Sequence, residues 1–296
     1  MAQKLRFGII GMSEGNGHPY SWAAIFNGFN KHKMALCPFK SIPEYLQKEN
    51  YPDNFLSNYG VVTHIWTQEP EISKQIAEAS YIPKISNHFE DMIGEIDALL
   101  LARDDAENHY KFANKFLAAG IPVYIDKPFA LNLASANKLW ETAVYQDQIF
   151  TCSALQFAKE FQWDQINHKA IGAIKMVWAS APKSWGKYAV HIIEPVLNLL
   201  PERGKIKSVQ SINNGADVIW ESGLSSVFQT TGNLISPIWI RIQGEKGFQD
   251  LYFDDSFYAF KVALKRFVNV VHKISPNLSI NKTKEMVEIL ERAKDA

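Results

Sequence analysis

The segment VYIDKPFALN, residues 123–132, places a lysine directly before a proline, where an apolar, strand-like run ends. Pro128 fixes its own φ and biases Lys127 towards extended backbone, so the lysine side chain has little freedom left to lose. A lysine held in this way can hydrogen-bond a reacting hydroxyl group, and a nearby positive charge would help it to accept a proton. A solvated turn lysine is the simpler interpretation of Lys-Pro alone, so both remain open.

A second segment with chemical potential is SWGKYAVHIIEPVLNLLP, residues 184–201. Lys187, His191 and Glu194 are spaced at i, i+4 and i+7, which predicts that they share one face of a helix. Pro195 has no N–H, so a kink is expected where the carbonyl of His191 loses its helical partner. An imidazole can act as a general acid or base, although a histidine on an apolar helix is more often structural.

A glycine-rich segment, GMSEGNGHPYS at residues 11–21, follows the apolar run LRFGII and precedes a helix-like segment. This order can hold a pyrophosphate, because backbone N–H groups and a helix N-terminus face the anion. The spacing is not G-x-G-x-x-G: Gly11-x-Ser13 has serine at the second glycine, and Gly11-x-x-x-Gly15-x-Gly17 is a looser alternative. A nucleotide site and an ordinary glycine turn both remain open.

The elements that must position these residues alternate between strand-like and helix-like segments up to about residue 154. Such alternation predicts a doubly wound parallel sheet. Ligands of these sheets bind beyond the carboxyl ends of the strands, where the strand order switches. Gly11, Thr67, Arg103 and Lys127 all follow predicted strands, so we expect them at the ligand-binding edge.

The pattern changes after about residue 155, where six consecutive strand candidates precede two helices. Strands grouped in this way predict an α+β domain with a largely antiparallel, open sheet. The expected fold class is therefore α/β, with a nucleotide-binding domain at residues 1–154 and a substrate and oligomerisation domain at residues 155–296.

The end of the second predicted strand bears on the choice of nucleotide. The sequence HIWTQEPE offers Thr67 and Gln68 there, with Glu69 one residue beyond, where an acidic residue commonly reads the ribose. No arginine follows immediately to bind a 2′-phosphate, so NAD and NADP both remain open. The connection between Phe29 and Val61 is unusually long, and predicts either a surface insertion or a flap over a ligand.

Composition excludes several classes of function. Lys+Arg and Asp+Glu are equal at 31 each in 296 residues, which gives no electrostatic footprint for nucleic acid or an anionic membrane. No apolar run approaches the roughly 20 residues of a membrane span, and no signal-peptide core precedes the first strand. Cys37 and Cys152 are expected to be reduced thiols. We expect a cytoplasmic protein that acts on a small molecule and binds no metal.

Taken together, these segments resemble the Gfo/Idh/MocA family, the relatives of glucose–fructose oxidoreductase and inositol dehydrogenase. Asp126-Lys127-Pro128 matches the family's Glu-Lys-Pro motif with Asp for Glu, and His109 matches a histidine usually found ahead of the preceding helix. KYAVHIIEPVLNLL resembles the family's Asp-x-x-x-His helix, which puts the catalytic histidine at His191. The likeness runs over nearly the whole chain.

The resemblance implies hydride transfer between NAD(P) and a sugar-like hydroxyl or carbonyl, in a homo-oligomer formed through the C-terminal sheet. It makes Lys127 and His191 the catalytic residues and implies substrate contacts from Trp185, Lys187 and Tyr188. The resemblance and the positions at the strand ends together indicate which residues we expect to bind the cofactor. They are Gly11, Met12, Ser13, Gly15, Gly17, Thr67, Gln68, Arg103, Asp104, His109 and Lys127.

Two departures from the family pattern carry consequences. Lys187 stands where the family commonly has the Asp of its Asp-x-x-x-His pair, so a carboxylate that would tune His191 is missing. Two lysines and a histidine near the positively charged ring of an oxidised nicotinamide would suit an anionic substrate, such as a sugar acid or a nucleotide-linked sugar. The altered glycine spacing keeps a second hypothesis open, that of a non-catalytic dinucleotide-binding sensor or partner-binding protein.

Overall fold

The computed structural model describes residues 3–294, and its internal contacts divide the chain into two compact units. The chain passes between the units more than once, whereas the predicted limits, 1–154 and 155–296, assume a single passage; those limits stay a prediction. The first unit comprises the described residues up to Asp126, Asn137–Thr151 and Phe260–Leu278. The second comprises Lys127–Ala136, Cys152–Ala259 and the described residues from Ser279.

The first unit is built on a parallel sheet, which confirms the predicted doubly wound arrangement. Within residues 3–294 this sheet has six strands in the order β3-β2-β1-β4-β5-β6, so the order switches between β1 and β4. Strand β4 is buried at every position, as expected for a parallel strand covered on both faces. The strands are β1 (Leu5–Ile10), β2 (Gly60–Trp66), β3 (Lys84–Ile85), β4 (Ala98–Leu101), β5 (Val123–Ile125) and β6 (Ile149–Thr151).

The second sheet is mostly antiparallel, again as predicted. Among the described residues it has the order β12-β11-β7-β10-β9-β8, and only the pairing of β10 with β7 is parallel. Its strands alternate between buried and more exposed positions, so one face is covered and the other is open. They are β7 (Ile174–Ala181), β8 (Ile206–Ile212), β9 (Gly215–Trp220), β10 (Ser225–Thr230), β11 (Trp239–Gly244) and β12 (Phe248–Tyr252).

Nine of the helices in the described part of the chain lie in connections between strands, and the last two follow β12. The division into units falls within α6 and within α10. None of the helices in the described part of the chain has the length and apolar character needed to cross a membrane. They are α1 (His18–Asn27), α2 (Lys31–Met34), α3 (Ser41–Leu46), α4 (Pro70–Ala79), α5 (His109–Ala118), α6 (Leu133–Thr142), α7 (His168–Ile171), α8 (Trp185–Tyr188), α9 (Val190–Leu199), α10 (Ser256–Val271) and α11 (Ile280–Arg292).

Two helix starts have local causes, and one expectation about the helices was wrong. Helix α1 begins at His18, because Pro19 has a backbone angle suited to the first turn of a helix. Asp105 precedes the turn before α5 but makes no capping hydrogen bond there, since its carboxylate binds Arg103. Lys187 lies in α8, separated by Ala189 from the helix that carries His191, so the two do not share one regular helix.

An aromatic core holds α1 against the first sheet and so fixes the start of that helix. Phe26 packs on Phe7 with ring centroids 4.7 Å apart, and Trp22 stacks on Tyr124 of β5, also at 4.7 Å. All four side chains are almost fully buried. Aromatic pairs at these separations stabilise a core beyond the area they bury, so the residues that open α1 are set rigidly above the strand ends.

Candidate functional site

The glycine loop, residues 11–17, leaves β1 and runs into α1 in the first unit. Gly15 has φ of +77°, a backbone angle that favours glycine, and a Cβ there would meet nothing within 4 Å. The amide N–H groups of Ser13, Gly15 and Gly17 have no hydrogen-bond acceptor among residues 3–294. The loop therefore presents three donors beside an open space that a side chain on Gly15 would fill.

The start of α1 offers few donors of its own. The N–H of His18 donates to Oδ1 of Asn16 at 2.8 Å, Pro19 has no N–H, and the N–H of Tyr20 donates to the carbonyl of Gly17. These are groups that a helix normally leaves unsatisfied at its N-terminus. Any anion bound here is therefore held chiefly by the loop amides.

Two side chains from neighbouring strand ends fix the beginning of the loop. Gln68, after β2, donates to the carbonyl of Met12 at 2.6 Å and accepts from its N–H at 3.2 Å. Arg103, after β4, donates to the same carbonyl at 3.1 Å and to Gln68 at 2.9 Å. Both residues were predicted at this edge, and the structure brings them together with Met12.

The serine at the second glycine position makes contacts that glycine cannot. The hydroxyl of Ser13 donates to Oδ1 of Asp104 at 2.6 Å and accepts from the N–H of Asp104 at 3.0 Å. His109 contacts the carbonyl of Arg103 through Nε2 at 2.8 Å and is fully buried. Ser13, Asp104 and His109 are thus structural partners of the loop, and their contact with a cofactor stays a prediction.

Arg103 forms a buried ion pair with Asp105 at 2.6 Å. Burial by itself would raise the pKa of Asp105, but the hydrogen bonds and charge of Arg103 bring it below the ordinary value. Thr67 was also predicted at this edge, but its hydroxyl has local partners. It donates to the carbonyl of Glu69 and lies 2.9 Å from the hydroxyl of Ser73. Gln68 is committed as well, to Met12 and Arg103, so contact of either residue with a ribose stays a prediction.

Sequence reasoning missed a cluster at the end of β5. Asp126, only 1% exposed, accepts a hydrogen bond from Asn16 at 2.8 Å, and its Oδ2 lies 2.5 Å from Nδ1 of His18. The signal that could have found it is HPY after the glycines, because a proline in the first helical turn places His18 at the helix start.

The long connection after α1 packs on the first unit itself. A Cβ on Gly17 would lie 2.5 Å from Ile42 and 2.6 Å from Phe39, so the connection closes directly on the glycine loop. Tyr45 donates to the hydroxyl of Ser21 at 2.5 Å, and burial raises the pKa of Tyr45. Of the two alternatives left open by the sequence, an insertion anchored beside the loop fits these contacts.

In the second unit, Lys127 and His191 meet at the ring of Tyr188. Nζ of Lys127 lies 5.4 Å from the ring centroid, and the His191 ring packs edge-on at 5.0 Å. Lys183 adds a second cation, 4.4 Å from the centroid, and donates to the tyrosine hydroxyl at 2.6 Å. Lys127 is 4% exposed, which excludes the solvated turn lysine, and its bond to Pro128 is cis.

His191 is oriented by a serine that the sequence did not reveal as a partner. Nδ1 of His191 lies 2.7 Å from Oγ of Ser153, and that oxygen also accepts from the N–H of Leu155. Glu194 accepts from the N–H of Ser153 at 2.6 Å and from Gln156 at 3.1 Å. Burial raises the pKa of Glu194 to about 8, against the opposing effects of the Ser153 hydrogen bond and the charge of Lys282.

The remaining predicted substrate residues flank this cluster. Trp185 is buried and its indole N–H donates to the carbonyl of Leu290 at 3.2 Å, so it has a structural partner. Lys187 is half-buried in α8, one residue before Tyr188. Their contact with a substrate stays a prediction.

A parallel sheet with a glycine loop at the switch in strand order defines a dinucleotide-binding Rossmann fold. Residues 5–153 match the family described as an oxidoreductase family with an NAD-binding Rossmann fold, GFO_IDH_MocA. The chain belongs to this family, as its motifs indicated. Among curated proteins, no sequence matches it.

Solved structures share the fold over nearly the whole chain. Myo-inositol 2-dehydrogenase from Lactobacillus plantarum aligns with a TM-score of 0.72 at 11% identity, over 99% of this chain and 97% of its own. UDP-N-acetylglucosamine 3-dehydrogenase from Acidithiobacillus ferrooxidans gives 0.68 at 13%, over 100% and 98%. Biliverdin reductase from Synechocystis, in complex with biliverdin and NADP+, gives 0.69 at 13%, over 98% of each chain. At these identities the likeness establishes the fold alone.

The residues of the first unit fit a dinucleotide despite the altered glycine spacing. Three loop amides are available, Gly15 leaves open space, and Gln68 follows β2, the strand whose end commonly contacts a ribose in this fold. The loop amides would hold the pyrophosphate. When bound, the cofactor would supply hydride chemistry, which no side chain of the protein can provide.

Proposed function

We propose that this chain is an NAD(P)-dependent oxidoreductase that transfers hydride to or from a hydroxyl or carbonyl of a sugar, sugar acid or nucleotide-linked sugar. The observation that carries the proposal is the shared contact of Lys127 and His191 with Tyr188. A lysine and a histidine on one aromatic ring form a pair that can polarise an oxygen and move its proton.

The proposed roles follow from the partners of each side chain. Lys127 binds and polarises the reacting oxygen, because its ammonium is buried and held by a cation–π contact. His191 gives or takes the hydroxyl proton, and Ser153 orients its ring through Nδ1. Lys183 adds positive charge at the same ring, which favours a substrate that carries a carboxylate or phosphate.

The test begins with the cofactor. Binding of NAD(H) and NADP(H) is measured by calorimetry on wild type and on Lys127→Ala, and the preferred cofactor is then used to screen neutral sugars, sugar acids and nucleotide-linked sugars for turnover. We expect micromolar binding of one cofactor and turnover that is lost in Lys127→Ala. Cofactor binding without turnover of any sugar would favour the sensor hypothesis, and no binding of either cofactor would overturn the enzyme.

We also propose a homo-oligomer formed through the open face of the second sheet. The register of β7, β9, β11 and β12 puts four exposed apolar side chains on this one face. Exposed patches of this kind commonly mark interfaces. Light scattering should give more than one chain per particle, and Trp178→Glu should lower that number. The four exposed apolar side chains on this face are those of Trp178, Ile219, Phe248 and Tyr252.

A cytoplasmic location completes the proposal. Cys37 and Cys152 are buried thiols outside any disulfide, and burial raises the pKa of Cys37 to about 11. Free thiols are typical of a reducing compartment. Fractionation of the native host should recover the protein with cytoplasmic markers.

A further inference from the structure

His18 is a partly buried histidine that the proposed function does not use. It is the first residue of α1, and its side chain is 16% exposed. The ring stacks on Trp22 with centroids 5.1 Å apart and meets Phe260 edge-on at 4.9 Å. These contacts hold the plane of the imidazole, so its two nitrogen atoms point in fixed directions.

One of these nitrogen atoms is held by a carboxylate. Nδ1 lies 2.5 Å from Oδ2 of Asp126, and the same oxygen accepts from Nδ2 of Asn16. Asn16 in turn caps the N–H of His18 through Oδ1, which closes a ring of polar contacts. In a neutral imidazole, a carboxylate that accepts from Nδ1–H selects the tautomer in which Nε2 carries the lone pair.

The other nitrogen, Nε2, has no hydrogen-bond partner within residues 3–294. Because the side chain keeps some exposure, a ligand can reach it. In the tautomer fixed by Asp126, this atom is an acceptor and not a donor. It is therefore suited to an amide N–H or a hydroxyl, and unsuited to a phosphate oxygen.

The position in the sheet indicates which part of a dinucleotide is near. Gln68, at the end of β2, lies on the side where the adenosine ribose is read. Asp126 follows β5, which lies on the opposite side of β1 in the strand order. A dinucleotide spans the switch in strand order, so its nicotinamide half reaches towards β4 and β5.

We propose that Nε2 of His18 accepts a hydrogen bond from the nicotinamide half of bound NAD(P), from its carboxamide or its ribose hydroxyls, and that Asp126 fixes the accepting tautomer. His18 is a cofactor-binding residue on this view, and Asp126 is a positioning residue. The inference rests on the proposed function only in requiring that the chain binds the cofactor.

The experiment compares cofactor binding with binding of a truncated ligand. Calorimetry measures affinity for NADH, or NADPH if that binds more tightly, and for ADP, which lacks the nicotinamide half. His18→Phe keeps a ring against Trp22 and removes both nitrogens, whereas His18→Gln keeps a polar group. His32→Phe, at an exposed histidine of α2 in the same unit, is the matched control.

We expect His18→Phe to weaken NADH binding roughly tenfold, the effect of one hydrogen bond, and to leave ADP binding unchanged. Asp126→Asn should weaken NADH binding similarly, because its amide can donate to Nδ1 and so move the ring proton to Nε2. Nitrogen NMR of labelled histidine reports this directly: the signal lost in His18→Phe should show the Nδ1–H tautomer in wild type and change in Asp126→Asn.

The outcomes separate this inference from the proposed function. Wild type that binds neither NADH nor NADPH would contradict the proposed function. Normal NADH binding in both His18 variants, or an Nε2–H tautomer in wild type, would overturn only the role of His18. An equal loss of ADP and NADH affinity would mean that His18 supports the loop and does not contact the nicotinamide half.

Discussion

The two units surround their central histidines with different chemistry. In the first unit His18 faces the carboxylate of Asp126, and Arg103 is paired with Asp105. In the second unit His191 faces the hydroxyl of Ser153 and an aromatic ring. The cation at the loop edge of the first unit is thus paired with a carboxylate, whereas Tyr188 of the second unit is contacted by two lysines.

This difference teaches how each unit can accept a ligand. A loop edge whose charges are already paired binds through backbone amides, whose geometry is fixed before the ligand arrives. A ring contacted by Lys127 and Lys183 has a positive surrounding, which draws an anionic group towards it. Specificity for the cofactor is therefore expected to depend on backbone shape, and specificity for the substrate on charge.

The largest expected effect is the loss of turnover in His191→Gln. Removing the proposed general acid or base should lower kcat by about 10²- to 10⁴-fold. Ser153→Ala is the control, because it keeps the imidazole and removes only its orienting hydroxyl; its loss should be smaller. The measurement is steady-state turnover of the sugar identified by the screen, and unchanged kcat in His191→Gln would break the contrast between the two histidines.

The next effect is on stability and belongs to the first unit. Arg103→Ala leaves Asp105 buried without its cation and frees the Met12 carbonyl, which should cost about 3–5 kcal/mol in the free energy of unfolding. Urea unfolding of the variant measures it. Arg6→Ala, which breaks an exposed pair with Asp97, is the control and should cost less than about 1 kcal/mol. Equal costs would contradict the view that Arg103 holds the loop edge.

Much of the fold could be predicted because it follows from local pattern. Apolar runs such as ALLL in β4 and strands of alternating burial such as β11 signal their own burial, so both sheets were foreseen. Lys127 and His191 were predicted for a different reason, since their motifs occur in the family's order, and their catalytic role stays a prediction. These residues needed no knowledge of distant contacts.

The partners of those residues could not be predicted, because each is separated from its partner by many positions in sequence. Asp126 meets Asn16 across 110 residues, and Ser153 meets His191 across 38. Nothing in the spacing of a serine marks it as the partner of a histidine. Such pairs are set by tertiary packing, which local periodicity does not encode.

A third prediction uses Glu194, the buried carboxyl behind His191. Its pKa is raised from 4.5 to about 8, so the folded state retains the proton that the unfolded chain releases. Its contribution to stability is therefore full at low pH and is lost as pH rises from about 4.5 to about 8, by at most about 1.4 kcal/mol per pH unit.

Glu194→Gln removes this dependence, because the amide stays neutral and can still accept from Ser153. Denaturant unfolding at several pH values should show wild type losing stability relative to the variant between pH 5 and 8, with no further divergence above that window. Parallel pH profiles would mean that Glu194 is ionised in the folded protein.

The smallest expected effect tests the charge around Tyr188. Lys183 is exposed, so Lys183→Met should raise KM for a carboxylated sugar only a few-fold, corresponding to less than about 1 kcal/mol, and leave kcat unchanged. A neutral sugar should show no change. Lys175→Met, at an exposed lysine of β7 that pairs with Glu245, is the control. An equal rise for both sugars would indicate that Lys183 positions Tyr188 through their hydrogen bond and does not select an anion.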